Sequence, residues 1–137
     1  MGTGNVVPLT AAARQPASYA VLVVEDDVLI RLTIADRLRE CDFSVLEASN
    51  SDEAISLLQS QVPVDLMLTD VRMPGSMDGI ALAKLVREAR PDLKLVVTSG
   101  NVASDSCTDV VDAFFRKPYD LDKVVARIDE LLATDRA

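Results

Sequence analysis

The feature that most restricts this chain is an alternation of short apolar runs with helix-periodic segments. Tyr19-Ala20-Val21-Leu22-Val23-Val24 is a continuous apolar run that ends abruptly at acids, and Val64 to Thr69 and Leu93 to Thr98 resemble it. Short runs that are apolar on successive residues, rather than on alternate ones, read as strands buried on both faces. Ala113 to Phe115 is a shorter run, and the more mixed Phe43 to Ala48 reads as an edge strand. Between the runs lie amphipathic faces: Ile30, Ile34, Leu38 and Cys41; Ala54, Leu57 and Leu58; Leu82, Leu85, Val86 and Ala89, stopped by Pro91; and Leu121, Val124, Val125, Ile128, Leu131 and Leu132. Asn50 with Glu53 is a capping-box candidate, and Asp120 is placed to cap the last helix. Val102 to Val111 must hold the remaining helix, yet Ser104, Asp105, Ser106, Thr108 and Asp109 are poor formers of a helix interior. That helix is expected to be short or irregular. A β-α unit repeated five times implies a parallel sheet with right-handed crossovers and helices on both faces.

At 137 residues the chain holds one domain with one core, and at 4% aromatic that core must be built from Val, Leu, Ile and Ala. Met1 to Ser18, rich in Gly, Thr, Ala and Pro, shows no period and is expected to be a flexible tail, leaving residues 19–134 as the domain. The net charge of -8 argues against direct binding of nucleic acid, which recruits Lys and Arg to its phosphates. Cys41 and Cys107 are far apart and form no metal or redox motif, so reduced thiols and a cytoplasmic location are expected. No apolar run reaches the ~18 residues of a membrane span, and the amino terminus does not read as a signal peptide.

In an open parallel sheet, ligands gather beyond the carboxyl ends of the strands. The first strand there runs into Glu25, Asp26 and Asp27, the third into Asp70, the fourth into Thr98, Ser99 and Gly100, and the fifth into Lys117-Pro118. Clustered carboxylates repel one another, and a hard dication such as Mg²⁺ relieves the repulsion while accepting carboxylate and phosphate oxygens. A carboxylate can also be a covalent nucleophile that forms an aspartyl-phosphate, and a lysine and a hydroxyl can stabilise the incoming phosphoryl oxygens. The chain contains no histidine, so a donor histidine would lie on another protein.

Val21-Leu22-Val23-Val24-Glu25-Asp26-Asp27, Thr69-Asp70-Val71-Arg72-Met73-Pro74, Met77-Asp78-Gly79, Val97-Thr98-Ser99 and Lys117-Pro118 together resemble the signature of bacterial response-regulator receiver domains. The match runs from about Tyr19 to Leu132. The resemblance implies a doubly wound, flavodoxin-like (βα)5 fold with strand order 2-1-3-4-5. It implies Asp70 as the phosphoacceptor, and Mg²⁺ held by Asp26, by Asp70, by Glu25 mostly through water and by the backbone carbonyl of Arg72. It further implies Thr98 and Lys117 on the phosphoryl group, a cis peptide between Lys117 and Pro118, and Phe114 as a switch aromatic that turns inward as Thr98 moves. The partners implied are a histidine kinase or phosphotransfer protein and a downstream protein.

Two features depart from the commonest pattern. Gly75 and Ser76 make the loop after Asp70 one residue longer than usual, which Gly75 can absorb with an unusual backbone angle. The stretch from Thr98 to Lys117 is about one helical turn short, which puts the usual dimer face of such domains in doubt. The expected function is phosphoryl acceptance followed by a population shift, with the output in a partner because no effector follows Ala133. A receiver excised from a hybrid kinase and an unphosphorylated interaction module are the alternatives. An aspartyl phosphatase of another fold would need a second Asp where Arg72 stands. The domain is expected to catalyse only its own phosphorylation and dephosphorylation.

Overall fold

The computed structural model describes residues 19–73, 75–100 and 109–136. Five parallel strands, β1 (Ala20–Val24), β2 (Ser44–Ala48), β3 (Leu66–Asp70), β4 (Lys94–Ser99) and β5 (Ala113–Arg116), lie in the order β2-β1-β3-β4-β5. The helices are α1 (Val28–Glu40), α2 (Ser51–Gln59), α3 (Gly79–Ala89) and α4 (Leu121–Arg136). The strand order is the expected 2-1-3-4-5. Readings that fall on residues 1–18, on Pro74 and on most of Val102 to Val111, Cys107 included, lie outside the described residues.

Burial on both faces explains the unbroken apolar runs. Along β1, Val21 and Val23 join one core cluster while Leu22 and Val24 join the other, and every residue of the strand is buried. β3 and β4 divide in the same way, with Leu66, Leu68 and Val96 on one side and Met67, Leu95 and Val97 on the other. α1 and α4 cover the first face through Ile34, Leu38, Val124, Ile128 and Leu132; α2 and α3 cover the second through Ala54, Leu82, Ala83 and Val86. Each fully buried leucine contributes roughly 2 kcal/mol by removal from water.

Local signals set the helix starts. Asp27, Asn50 and Asp78 cap α1, α2 and α3, accepting from the amides of Ile30, Glu53 and Ala81 at 3.1, 2.8 and 2.9 Å. Asp120 accepts from the amide of Asp122 at 2.9 Å at the start of α4. Glu53 reaches back one residue further than a capping box requires, to the amide and hydroxyl of Ser49 at 2.7 and 2.8 Å. Three residues of the expected apolar faces are instead exposed: Ile30 at 37%, Leu85 at 44%, and Ala89. Ile30 sits in the first turn of α1 and lines an open hollow with Tyr119 and Leu121.

Candidate functional site

Where β1, β3 and β4 end, their apolar character gives way to buried polar side chains. Glu25, Thr69, Asp70, Thr98 and Ser99 are all buried at this rim, and the one other buried polar side chain among the described residues is Ser51. Strand order puts the switch point between β1 and β3, so the turn after β1 and the end of β3 lie side by side. Carboxylate oxygens of Glu25, Asp26 and Asp70 come within 4.8 Å of one another. The amide of Glu25 donates to the carbonyl of Ala48 at 3.0 Å, and the Arg31 guanidinium donates to the carbonyl of Glu25 at 2.9 Å while pairing with Glu47 at 3.1 Å. The acidic turn is thus fixed from β2 and from α1.

β4 supplies the hydroxyl. Thr98 is the register partner of Asp70, and its carbonyl accepts from the amide of Val71 at 2.9 Å. β5 supplies the amine. Lys117 Nζ donates to Asp70 Oδ2 at 2.9 Å and lies 3.9 Å from Glu25 Oε1, and the Lys117-Pro118 peptide is cis. Its amide donates to the carbonyl of Ser99 at 2.8 Å, which ties the lysine to the end of β4. Phe114 is half-buried against the cluster under α2 and α3 and pairs in register with Val97, one residue before Thr98. Arg72 is exposed beside the rim.

Burial pushes the Glu25 carboxyl up to about 7, and the Asp70 charge pushes the same way against the relief from the Asp27 amide and Lys117. Burial disfavours the Lys117 ammonium, but the hydrogen bond and charge of Asp70, with Glu25 adding, hold its pKa above the ordinary lysine value. With all groups ionised, the three carboxylates outweigh this one ammonium by two negative charges. An all-oxygen donor set with an unmet charge of that size fits a hard dication.

Two contacts at the site lay outside the sequence reading. Arg31 has no trace in the sequence pattern, since its partners are a backbone carbonyl and Glu47 on β2. The start of α3 packs so tightly on the end of β3 that a Cβ added at Gly79 would collide with the carbonyl oxygen of Asp70.

The fold and the rim together define a doubly wound α/β domain with an acid-lined pocket at its switch point. The model of the response regulator receiver domain family matches residues 21–129, and the chain belongs to that family: it is a receiver domain of the two-component response regulators. It is 34% identical to the response regulator receiver protein CpdR of Brucella abortus over 118 residues, 82% of this chain and 95% of that protein. It is 30% identical to the DNA-binding transcriptional regulator NtrC of Salmonella typhimurium over 82% of this chain but only 24% of that protein, so it spans about a quarter of that relative's length. Among solved structures it resembles the response regulator TrrA of Thermotoga maritima in complex with Mg²⁺-BeF, with a TM-score of 0.75 and 26% identity over 82% of this chain and 98% of that one. A response regulator receiver protein of Sinorhizobium medicae gives a TM-score of 0.77 at 26% identity, covering 85% and 95% of the two chains. Among the described residues no helix is long and apolar enough to cross a membrane.

Proposed function

We propose that this domain accepts a phosphoryl group on Asp70 from a phosphohistidine of a kinase or phosphotransfer protein, with Mg²⁺ held by Asp26, Asp70, Glu25 and the carbonyl of Arg72. The observation that carries the reading is the meeting of Glu25, Asp26, Asp70 and Lys117 at one rim, from three different strand ends. Lys117 holds Oδ2 of Asp70, which leaves Oδ1 to attack phosphorus as the donor's P–N bond breaks and the imidazole nitrogen departs with that electron pair. The ion would supply charge neutralisation for the phosphoryl oxygens. Lys117 adds its charge at the same oxygens, and Thr98, across from Asp70 in register, donates its hydroxyl to one of them. Phosphorylation draws Thr98 toward the rim and biases the packing of Phe114, the element we assign to the switch. The domain turns over no external metabolite.

In the first turn of α1, next to Asp26 and Asp27, Val28 and Leu29 are 55% and 76% exposed. We assign that turn, with Tyr119 and Leu121 lining the same hollow, to contact with the donor protein. The downstream partner is a protein; the acidic balance of the chain disfavours nucleic acid as a direct ligand.

Incubation with a small-molecule phosphoryl donor, with Mg²⁺ or with a chelator, tests the proposal by intact mass and peptide mapping. The expected result is a Mg²⁺-dependent gain of one phosphoryl group on Asp70, absent in Asp70→Ala. No gain from the small donor or from phosphorylated histidine kinases favours the unphosphorylated interaction module.

A further inference from the structure

The lengthened loop after β3 has a partner on α2. Ser76 Oγ donates to Asp52 Oδ1 at 2.7 Å, and its neighbour in the loop, Gly75, takes a φ of 112° that residues other than glycine rarely adopt. One residue earlier on α2, Ser51 donates through Oγ to the carbonyl of Met77 at 3.0 Å. Ser51 is fully buried, and it is the single buried polar side chain among the described residues that lies outside the carboxyl rim. Both contacts grip the residues that lead directly into Asp78 and Gly79. From there the path to the phosphoacceptor is short and rigid: the amide of Gly79 donates to the carbonyl of Val71 at 2.8 Å, and Gly79 itself leaves no room for a Cβ against Asp70.

We infer that Ser51 and Asp52, the first two residues of α2, are positioning residues for phosphoryl acceptance, acting through the start of α3 on the end of β3. This rests on the proposed role of Asp70. A lengthened loop is free to carry the start of α3 into several placements, each shifting Asp70 relative to Thr98 and Lys117. The two hydroxyl bonds select one of them. Ser76 is one of the two residues that lengthen the loop, so the extra length comes with its own restraint. Reactive groups held for in-line attack lose rate steeply on displacement, by up to about 100-fold for 1 Å.

The test compares initial rates of Mg²⁺-dependent phosphorylation by a small-molecule donor, read by intact mass, with melting temperatures measured alongside. Ser51→Ala and Asp52→Ala are expected to slow phosphorylation about three- to tenfold, and Ser76→Ala to match Asp52→Ala, with the Ser76→Ala/Asp52→Ala double variant no slower than either single one. Asp52→Asn, which keeps the oxygen acceptor and loses the charge, is expected to recover the wild-type rate. Ser60→Ala removes a hydroxyl bond to the carbonyl of Leu57 at 2.7 Å from the opposite end of the same helix, and is expected to leave the rate unchanged. Wild-type rates in Ser51→Ala and Asp52→Ala would overturn the inference while leaving Asp70 as acceptor. Equal slowing in Ser60→Ala would also overturn it, because the effect would then be a general loosening of α2. If the wild-type chain itself gains no phosphoryl group, the underlying reading fails and the inference with it.

Discussion

The two ends of this sheet use the same residue type in opposite ways. At the amino ends, Asp65 and Asp112 are stitched into the strands. Asp65 accepts from the amide of Ala20 at 2.8 Å while its own amide donates back to the carbonyl of Ala20 at 2.9 Å. Asp112 repeats the device on Leu95, with both bonds at 2.8 Å, and adds the Arg87 guanidinium at 2.7 Å. At the carboxyl ends, Glu25, Asp26 and Asp70 face one another, with the Lys117 ammonium placed among them. A carboxylate that closes a strand end serves the fold. Carboxylates crowded beyond their countercharge raise the free energy of the empty domain and leave that energy to be recovered by a ligand.

The contrast can be broken hardest at Gly79. Gly79→Ala forces the start of α3 away from Asp70, and we expect a loss of phosphorylation rate of roughly 100-fold, together with a lowered midpoint in urea. A rate within threefold of wild type would show that the carboxyl rim tolerates movement. At the other end, Asp112→Ala removes the carboxylate that the Arg87 guanidinium and the Leu95 amide share, leaving Arg87 only backbone carbonyls, and is expected to cost about 2 kcal/mol in urea unfolding. Phosphoryl acceptance by the folded fraction should persist; its disappearance would mean that the two ends are not separable.

Glu25→Gln should do the reverse. The Glu25 carboxyl is raised from 4.5 to about 7 in the folded state, so the folded domain keeps a proton that the unfolded chain releases between those values. Its contribution to stability therefore falls as pH rises through that window and stays low above it. Without Mg²⁺ at pH 8 we expect Glu25→Gln to melt about 4 °C above wild type and the gap to narrow toward pH 5, while its response to Mg²⁺ weakens. A variant that melts lower at pH 8 would show that Glu25 is a structural carboxylate like Asp65. The smallest effect is expected at Arg72, whose exposed side chain flanks the site: Arg72→Ala should change the decay rate of the phosphorylated protein about two- to fivefold with no change in melting temperature, followed by mass over time.

Much of this was legible in the sequence because the responsible forces are local or periodic. Two-sided burial demands apolar residues at every position of Val21 to Val24, and an end to such a run is visible as soon as Glu25 is read. Asp27, Asn50 and Asp78 cap helices through amides three residues away, a distance the sequence itself displays. The acids, Thr98 and Lys117 could be gathered because a parallel sheet delivers all strand ends to one rim. What escaped were pairings between distant residues with no periodic trace: Arg31 with Glu47, Arg87 with Asp112, and Ser76 with Asp52. Ile30 and Leu85 escaped for a related reason, since periodicity fixes the face of a helix but not what covers each residue on it: both line open hollows between elements distant in the sequence.

The central claim is that the charge left unmet at the carboxyl rim awaits a dication, and thermal unfolding at pH 8 across a Mg²⁺ series tests it most directly. A site that binds only the folded domain must raise the melting temperature with the logarithm of free Mg²⁺. The expected result is that rise in the wild type, a weaker one in Glu25→Gln and none in Asp26→Asn/Asp70→Asn. A melting temperature indifferent to Mg²⁺ in the wild type, or a rise undiminished in the double variant, would contradict it.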